Sequence, residues 1–186
     1  LYLNISNLLT ISRIFFTPFI VKNILSGNWH VSITLFLFAA FTDILDGFLA
    51  RILNQESYIG TLLDPLADKI LLISCYISLL FIENNLFLIP SWFTVIIIFK
   101  ELILISGSLI LNCVYRINFK IKPSVLGKLN TFFQILFVIF ILSSIILKID
   151  SDILNNIFYI FLYFITVLNL LTLMHYSFQA FKEFIV

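Results

Sequence analysis

The sequence predicts an all-α integral membrane protein, a six-transmembrane-helix bundle forming a single domain over residues 1–186. Its residues are 61% hydrophobic and 11% charged, whereas a soluble domain is about 45–50% apolar and about 25% charged. The mean hydropathy is +1.12. A chain this apolar cannot hide its surface inside one small globule. The apolar residues also fall into six runs, each near the roughly 20 residues that cross a hydrocarbon core, and the connections between them hold no linker, repeat or low-complexity tail.

The first run, about 8–25, is interrupted by Arg13, Pro18 and Lys22. It lacks a basic region followed by a small-residue cleavage site, so a retained span is expected, not a removable signal peptide. The second, about 31–50, carries Asp43 and Asp46 near its end; the third, about 60–82, has Asp64 and Asp68 near its start. The fourth, about 86–111, has Lys100 and Glu101 midway, and the fifth and sixth occupy about 126–147 and 153–174. His30 is expected in an outer loop and His175 at the end of the last span, both interfacial. Trp29 and Trp92 fall near interfaces, where aromatic belts form. Cys75 and Cys113 sit far apart in apolar runs without a metal or disulfide spacing and are expected to pack.

An even number of spans puts both termini on one side, with the 51–60 and 112–125 connections. With their flanks these hold Arg51, Arg116, Lys120, Lys122, Lys128 and Lys182, against Lys22 and Lys148 opposite. Basic residues favour the cytoplasmic face, so the termini and the four aspartates are expected there, in a bacterial cytoplasmic membrane. A net charge of +1 gives no nucleic-acid footprint.

The stretch 42–69 organises the rest. Asp43 and Asp46 are three apart, and Gly60, Asp64 and Asp68 are each four apart, spacings that share a helix face. A charged residue at helix-centre depth costs roughly 2.5–3.5 kcal/mol on insertion scales, and four facing acids add repulsion. Divalent cations offset both, because hard oxygen ligands suit Mg²⁺ or Mn²⁺, and a pair of such ions about 3.5–4 Å apart clamps an in-line phosphoryl displacement. The structural alternative is that these acids cap helices or pair with Arg51 and Lys69, but two basic residues cannot neutralise four acids. A small cation transporter or channel is the competing class, since intramembrane carboxylates mark ion routes. Against it, the acids cluster at one depth and no inverted repeat is visible.

Asp43, Asp46, Gly47, Ala50, Arg51, Gly60, Asp64 and Asp68 fill every fixed position of D-x2-D-G-x2-A-R-x8-G-x3-D-x3-D. That pattern resembles the signature of the CDP-alcohol phosphatidyltransferases, six-helix membrane enzymes that usually form homodimers. The segment NLLTISR, from Asn7 to Arg13, is similar to the family's N-terminal segment. The resemblance implies that Asp43, Asp46, Asp64 and Asp68 bind two Mg²⁺ or Mn²⁺ ions. It makes Asp68 the base for the acceptor hydroxyl. It places Asn7, Thr10, Gly47, Ala50, Arg51, Ser57 and Gly60 around the CDP-alcohol, with Arg51 on the diphosphate. The implied reaction transfers a phosphatidyl group from CDP-diacylglycerol to an alcohol and releases CMP.

The acceptor is divided. Lys100–Glu101 resembles an Arg-Glu pair of the phosphatidylglycerophosphate synthases, although Ser108 stands where those tend to carry a second arginine. Lys100, Arg116, Lys120, Lys122 and Lys128 could form a pocket for the phosphate of glycerol-3-phosphate, or several could be orientation anchors. Lys128, Thr131 and Gln134 form a polar stripe expected to line a cavity. The segment 122–134 is also similar to CMP-forming cardiolipin synthases, whose acceptor is phosphatidylglycerol, and Asn130 stands where phosphatidylglycerophosphate synthases more often have lysine. The basic cluster favours glycerol-3-phosphate.

Overall fold

The computed structural model describes the backbone of residues 5–53, 58–82, 88–113, 124–148 and 151–185, and side chains within 11–42, 67–82, 88–104, 106, 124–148, 151–179 and 181. Among these residues the protein is entirely helical: α1 (Ile5–Leu25), α2 (Trp29–Leu53), α3 (Tyr58–Leu80), α4 (Ser91–Cys113), α5 (Val125–Leu147) and α6 (Asp152–Ile185). Two of them, α5 and α6 over Asp152–Gln179, are long and apolar enough to cross a membrane.

Helix ends follow local chemistry. Gly27 adopts a left-handed φ of 72°, which a residue without a Cβ takes at no steric cost. Asn28 N donates to Asn23 O and Gly27 N to Ile24 O, a Schellman closure that satisfies the last carbonyls of α1. The chain then turns directly into α2, which places His30 in that helix's first turn and corrects its assignment to a loop. Helix α4 begins at Ser91, not near 86 as its hydropathy predicts. Pro90 is the reason: a proline biases the residue before it away from helical dihedrals. Ser124 caps α5 by accepting from Gly127 N at 3.0 Å, and Ser151 caps α6 by accepting from Leu154 N at 3.2 Å.

Helix α6 continues to Ile185, well past the predicted end at 174. Polar residues from His175 onward end an apolar run, but they do not end a helix. His175 therefore lies inside α6, in contact with Gln179 one turn on at 3.0 Å.

The helices divide between two compact units. The first comprises 1–88 and 138–149, the second 89–137 and 150–186. In the first, α1 packs against both α2 and α3, burying Ile20, Ile24, Phe36, Ala39, Ala67, Leu71, Leu72, Cys75 and Tyr76. In the second, α4 packs on α6, and Phe137 joins Phe93 and Phe158 at centroid distances of 5.6 and 5.4 Å. Large apolar side chains such as Phe15, Phe38, Phe99 and Ile160 face outward, an arrangement suited to lipid, where burial from water does not require a protein neighbour.

Candidate active site

Helix α2 runs unbroken through Asp43, Asp46, Gly47, Ala50 and Arg51, and α3 through Gly60, Asp64 and Asp68. The predicted spacings of three and four are therefore helical spacings on two elements that both pack on α1. Asn7 and Thr10 lie on α1 itself. The side chains of Asn7, Thr10, Asp43, Asp46, Ala50, Arg51 and Asp64 lie outside the described residues, as do Ser57, Arg116, Lys120 and Lys122 altogether.

Asp68 is described, and its partner comes from α1. Arg13 Nη1 donates to Asp68 Oδ1 in an ion pair that joins α1 to α3. Burial within the pair is one-sided, with Arg13 at 1% side-chain exposure and Asp68 at 29%. One turn along α1, Thr17 Oγ1 donates to the Arg13 carbonyl at 2.9 Å. The weighed pairing with Arg51 or Lys69 did not anticipate Arg13. Its signal was nonetheless in the sequence, because an arginine inside an apolar helix is rarely without a polar partner.

An open groove of about 630 Å³ starts beside this pair, lined on α1 by Ile14, Thr17, Pro18, Val21 and Lys22 and on α3 by Ile70 and Ser74.

In the second unit, Lys100 and Glu101 form a buried ion pair at 2.7 Å. The expected polar stripe on α5 divides. Lys128 is exposed and Thr131 half-buried, while Gln134 is buried and its Nε2 donates to Asn169 Oδ1 at 3.0 Å. Asn130, also buried, donates its Nδ2 to the same oxygen at 3.0 Å. Asn169 escaped the sequence reading: one amide in an apolar run, it resembles any other until α6 is laid against α5.

The family model for CDP-alcohol phosphatidyltransferase matches residues 3–176. The chain belongs to that family. It is 37% identical over 131 residues to the CDP-diacylglycerol–glycerol-3-phosphate 3-phosphatidyltransferase of Aquifex aeolicus, covering 70% of this chain and 71% of that one. Similarity to the enzyme of the same name from Wigglesworthia glossinidia brevipalpis is 31% over 185 residues, covering 97% of both chains. Human CMP-forming cardiolipin synthase is 31% identical over 190 residues, covering 93% of this chain but only 61% of the human one. Family membership together with the apolar helices marks a membrane protein.

The donor set fits the divalent ions that this family generally uses. The expected set consists of aspartates at helical spacing on α2 and α3, and the described member, Asp68, keeps a partly exposed side chain. Hard oxygen donors of this kind suit Mg²⁺ or Mn²⁺ and offer nothing to a soft metal.

Proposed function

We propose that this protein transfers the phosphatidyl group of CDP-diacylglycerol to glycerol-3-phosphate and releases CMP, in anionic phospholipid synthesis. The observation that carries the reading is Asp68, a partly open carboxylate held by a buried arginine at the last position of the eight-residue motif. Asp68 takes the proton from the acceptor hydroxyl. The freed oxygen forms a bond to the lipid-linked phosphorus, and the bond from that phosphorus to the bridging oxygen breaks, so that CMP departs with the electron pair.

Asp43, Asp46, Asp64 and Asp68 would hold two Mg²⁺ or Mn²⁺ ions, which when bound neutralise diphosphate charge and stabilise the leaving phosphate. Arg51 presents a fork of donors to the diphosphate. Gly47 and Gly60, without a Cβ, and Ala50, with a small one, let the nucleotide approach the helix backbone, while Asn7, Thr10 and Ser57 contact it. Arg116, Lys120, Lys122 and Lys128 supply the positive field for the acceptor phosphate, whereas the expected contribution of Lys100 is cancelled by its buried pairing with Glu101. The six helices each span the membrane, the active site and both termini face the cytoplasm, and two copies form a homodimer.

A second reading takes phosphatidylglycerol as acceptor, giving cardiolipin. It is favoured by the similarity to human CMP-forming cardiolipin synthase over 93% of this chain and by Asn130, a neutral amide bonded to Asn169. Purified protein offered CDP-diacylglycerol with labelled glycerol-3-phosphate and phosphatidylglycerol side by side decides between them. The expected labelled product is phosphatidylglycerophosphate. Cardiolipin would transfer the assignment to the second reading, and no CMP release with either metal would overturn both.

A further inference from the structure

The ion pair between Arg13 and Asp68 does more than fasten two helices. The two charges of the pair differ in burial. Here the guanidinium is sealed at 1% exposure while the carboxylate remains 29% exposed. Arginine does not deprotonate in proteins, so a fixed positive charge stands behind a carboxylate that opens outward. Ala67 and Leu71, which flank Asp68 on α3, are buried, as are Thr17 and Ile20 further along α1. The guanidinium is thus enclosed at the contact of α1 with α3.

We infer that Arg13 is a positioning residue for Asp68: its buried guanidinium fixes the carboxylate for proton transfer and restrains how tightly the aspartate cluster takes up divalent cations. The inference rests on the proposed role of Asp68. Its two consequences have opposite signs. A guanidinium beside a cation ligand repels the cation, so its removal strengthens metal uptake. The same removal takes away one of the contacts that direct the carboxylate, and small misplacements of a reacting group are costly in rate. A helix fastener predicts something else, with stability, metal uptake and turnover all declining together.

The test uses the full-length protein in detergent or nanodiscs, with Mn²⁺ binding measured by the resonance of free Mn²⁺ in the absence of substrate, beside steady-state kinetics. Arg13→Gln is expected to bind Mn²⁺ about threefold tighter or more and to lose about tenfold or more in kcat, with the KM for CDP-diacylglycerol nearly unchanged. Arg13→Lys retains the charge but not the planar fork. It should keep the parent Mn²⁺ affinity and lose part of the turnover, which answers the question even if the glutamine variant fails to fold. Unchanged or weaker Mn²⁺ binding in Arg13→Gln overturns the inference, as does full turnover in either variant. Asp68→Asn separates the two levels of the argument. If Asp68→Asn is active, the base assignment itself fails; if it is inactive while Arg13→Gln turns over normally, only the role of Arg13 fails.

Discussion

Asp68 is the anion for Arg13 and the proposed base for the acceptor, and one substitution can separate the two roles. Asparagine preserves the size of the side chain but neither its charge nor its ability to take a proton. Removing one partner of a fully buried ion pair costs about 3–5 kcal/mol; Asp68, at 29% exposure, should cost less, because water reaches the site. Asp68→Asn is thus expected to remain folded in the membrane with a lowered melting temperature and to release no CMP above background. Adding Arg13→Met, which removes the guanidinium that faces the changed side chain, should not recover activity. Recovered activity would show that Asp68 matters only as an anchor. The residue-level legibility of the site is equally divided. Spacing alone marked Asp43, Asp46, Asp64 and Asp68, since helical periodicity is local information. Arg13 was visible as a charge in an apolar run, but its partner lies 55 positions away, and no local pattern joins them.

At the scale of elements, hydropathy located six helices, two of which are long and apolar enough to cross a membrane among the described residues, and it failed where a boundary depends on something else. Pro90 sets the start of α4, and α6 passes through His175 to Ile185 because helix propensity outlasts apolarity. The seam between α5 and α6 was equally hidden. Gly127 lies where Tyr176 crosses the start of α5, the Tyr176 hydroxyl sitting 3.1 Å from Ser124 Oγ. A Cβ at Gly127 would come within 2.4 Å of that hydroxyl. Gly127→Ala should therefore displace the Tyr176 ring, a cost that alanine's helix preference of about 0.5–1 kcal/mol partly offsets, read as a small fall in melting temperature. The clash is with the hydroxyl oxygen, so Tyr176→Phe should be a partial suppressor, making the double variant more stable than Gly127→Ala alone. Strictly additive losses would mean that the two residues do not meet.

For the whole molecule the proposal of widest consequence is orientation, which puts the aspartates on the proposed cytoplasmic face. In the proposed six-span arrangement both termini lie together, and the basic residues near 51, 116–128 and 182 outnumber Lys22 and Lys148, which it puts on the opposite side. At 1.5 Å per residue, the 34 residues of α6 extend about 51 Å against a hydrocarbon core of about 30 Å. Helix α6 is thus long enough to carry Lys182 and Glu183 into water beyond its apolar stretch. Single cysteines introduced in a Cys75→Ser, Cys113→Ser background test this arrangement in intact cells. A cysteine at Asn28 or Ser151 should react with a membrane-impermeant maleimide from outside, whereas one at Asn54 or Glu183 should react only after lysis. The reverse pattern would put the four acids on the face without nucleotide. Labelling of Asn54 and Glu183 on opposite sides would mean an odd number of crossings, and the six-span reading would fail with it.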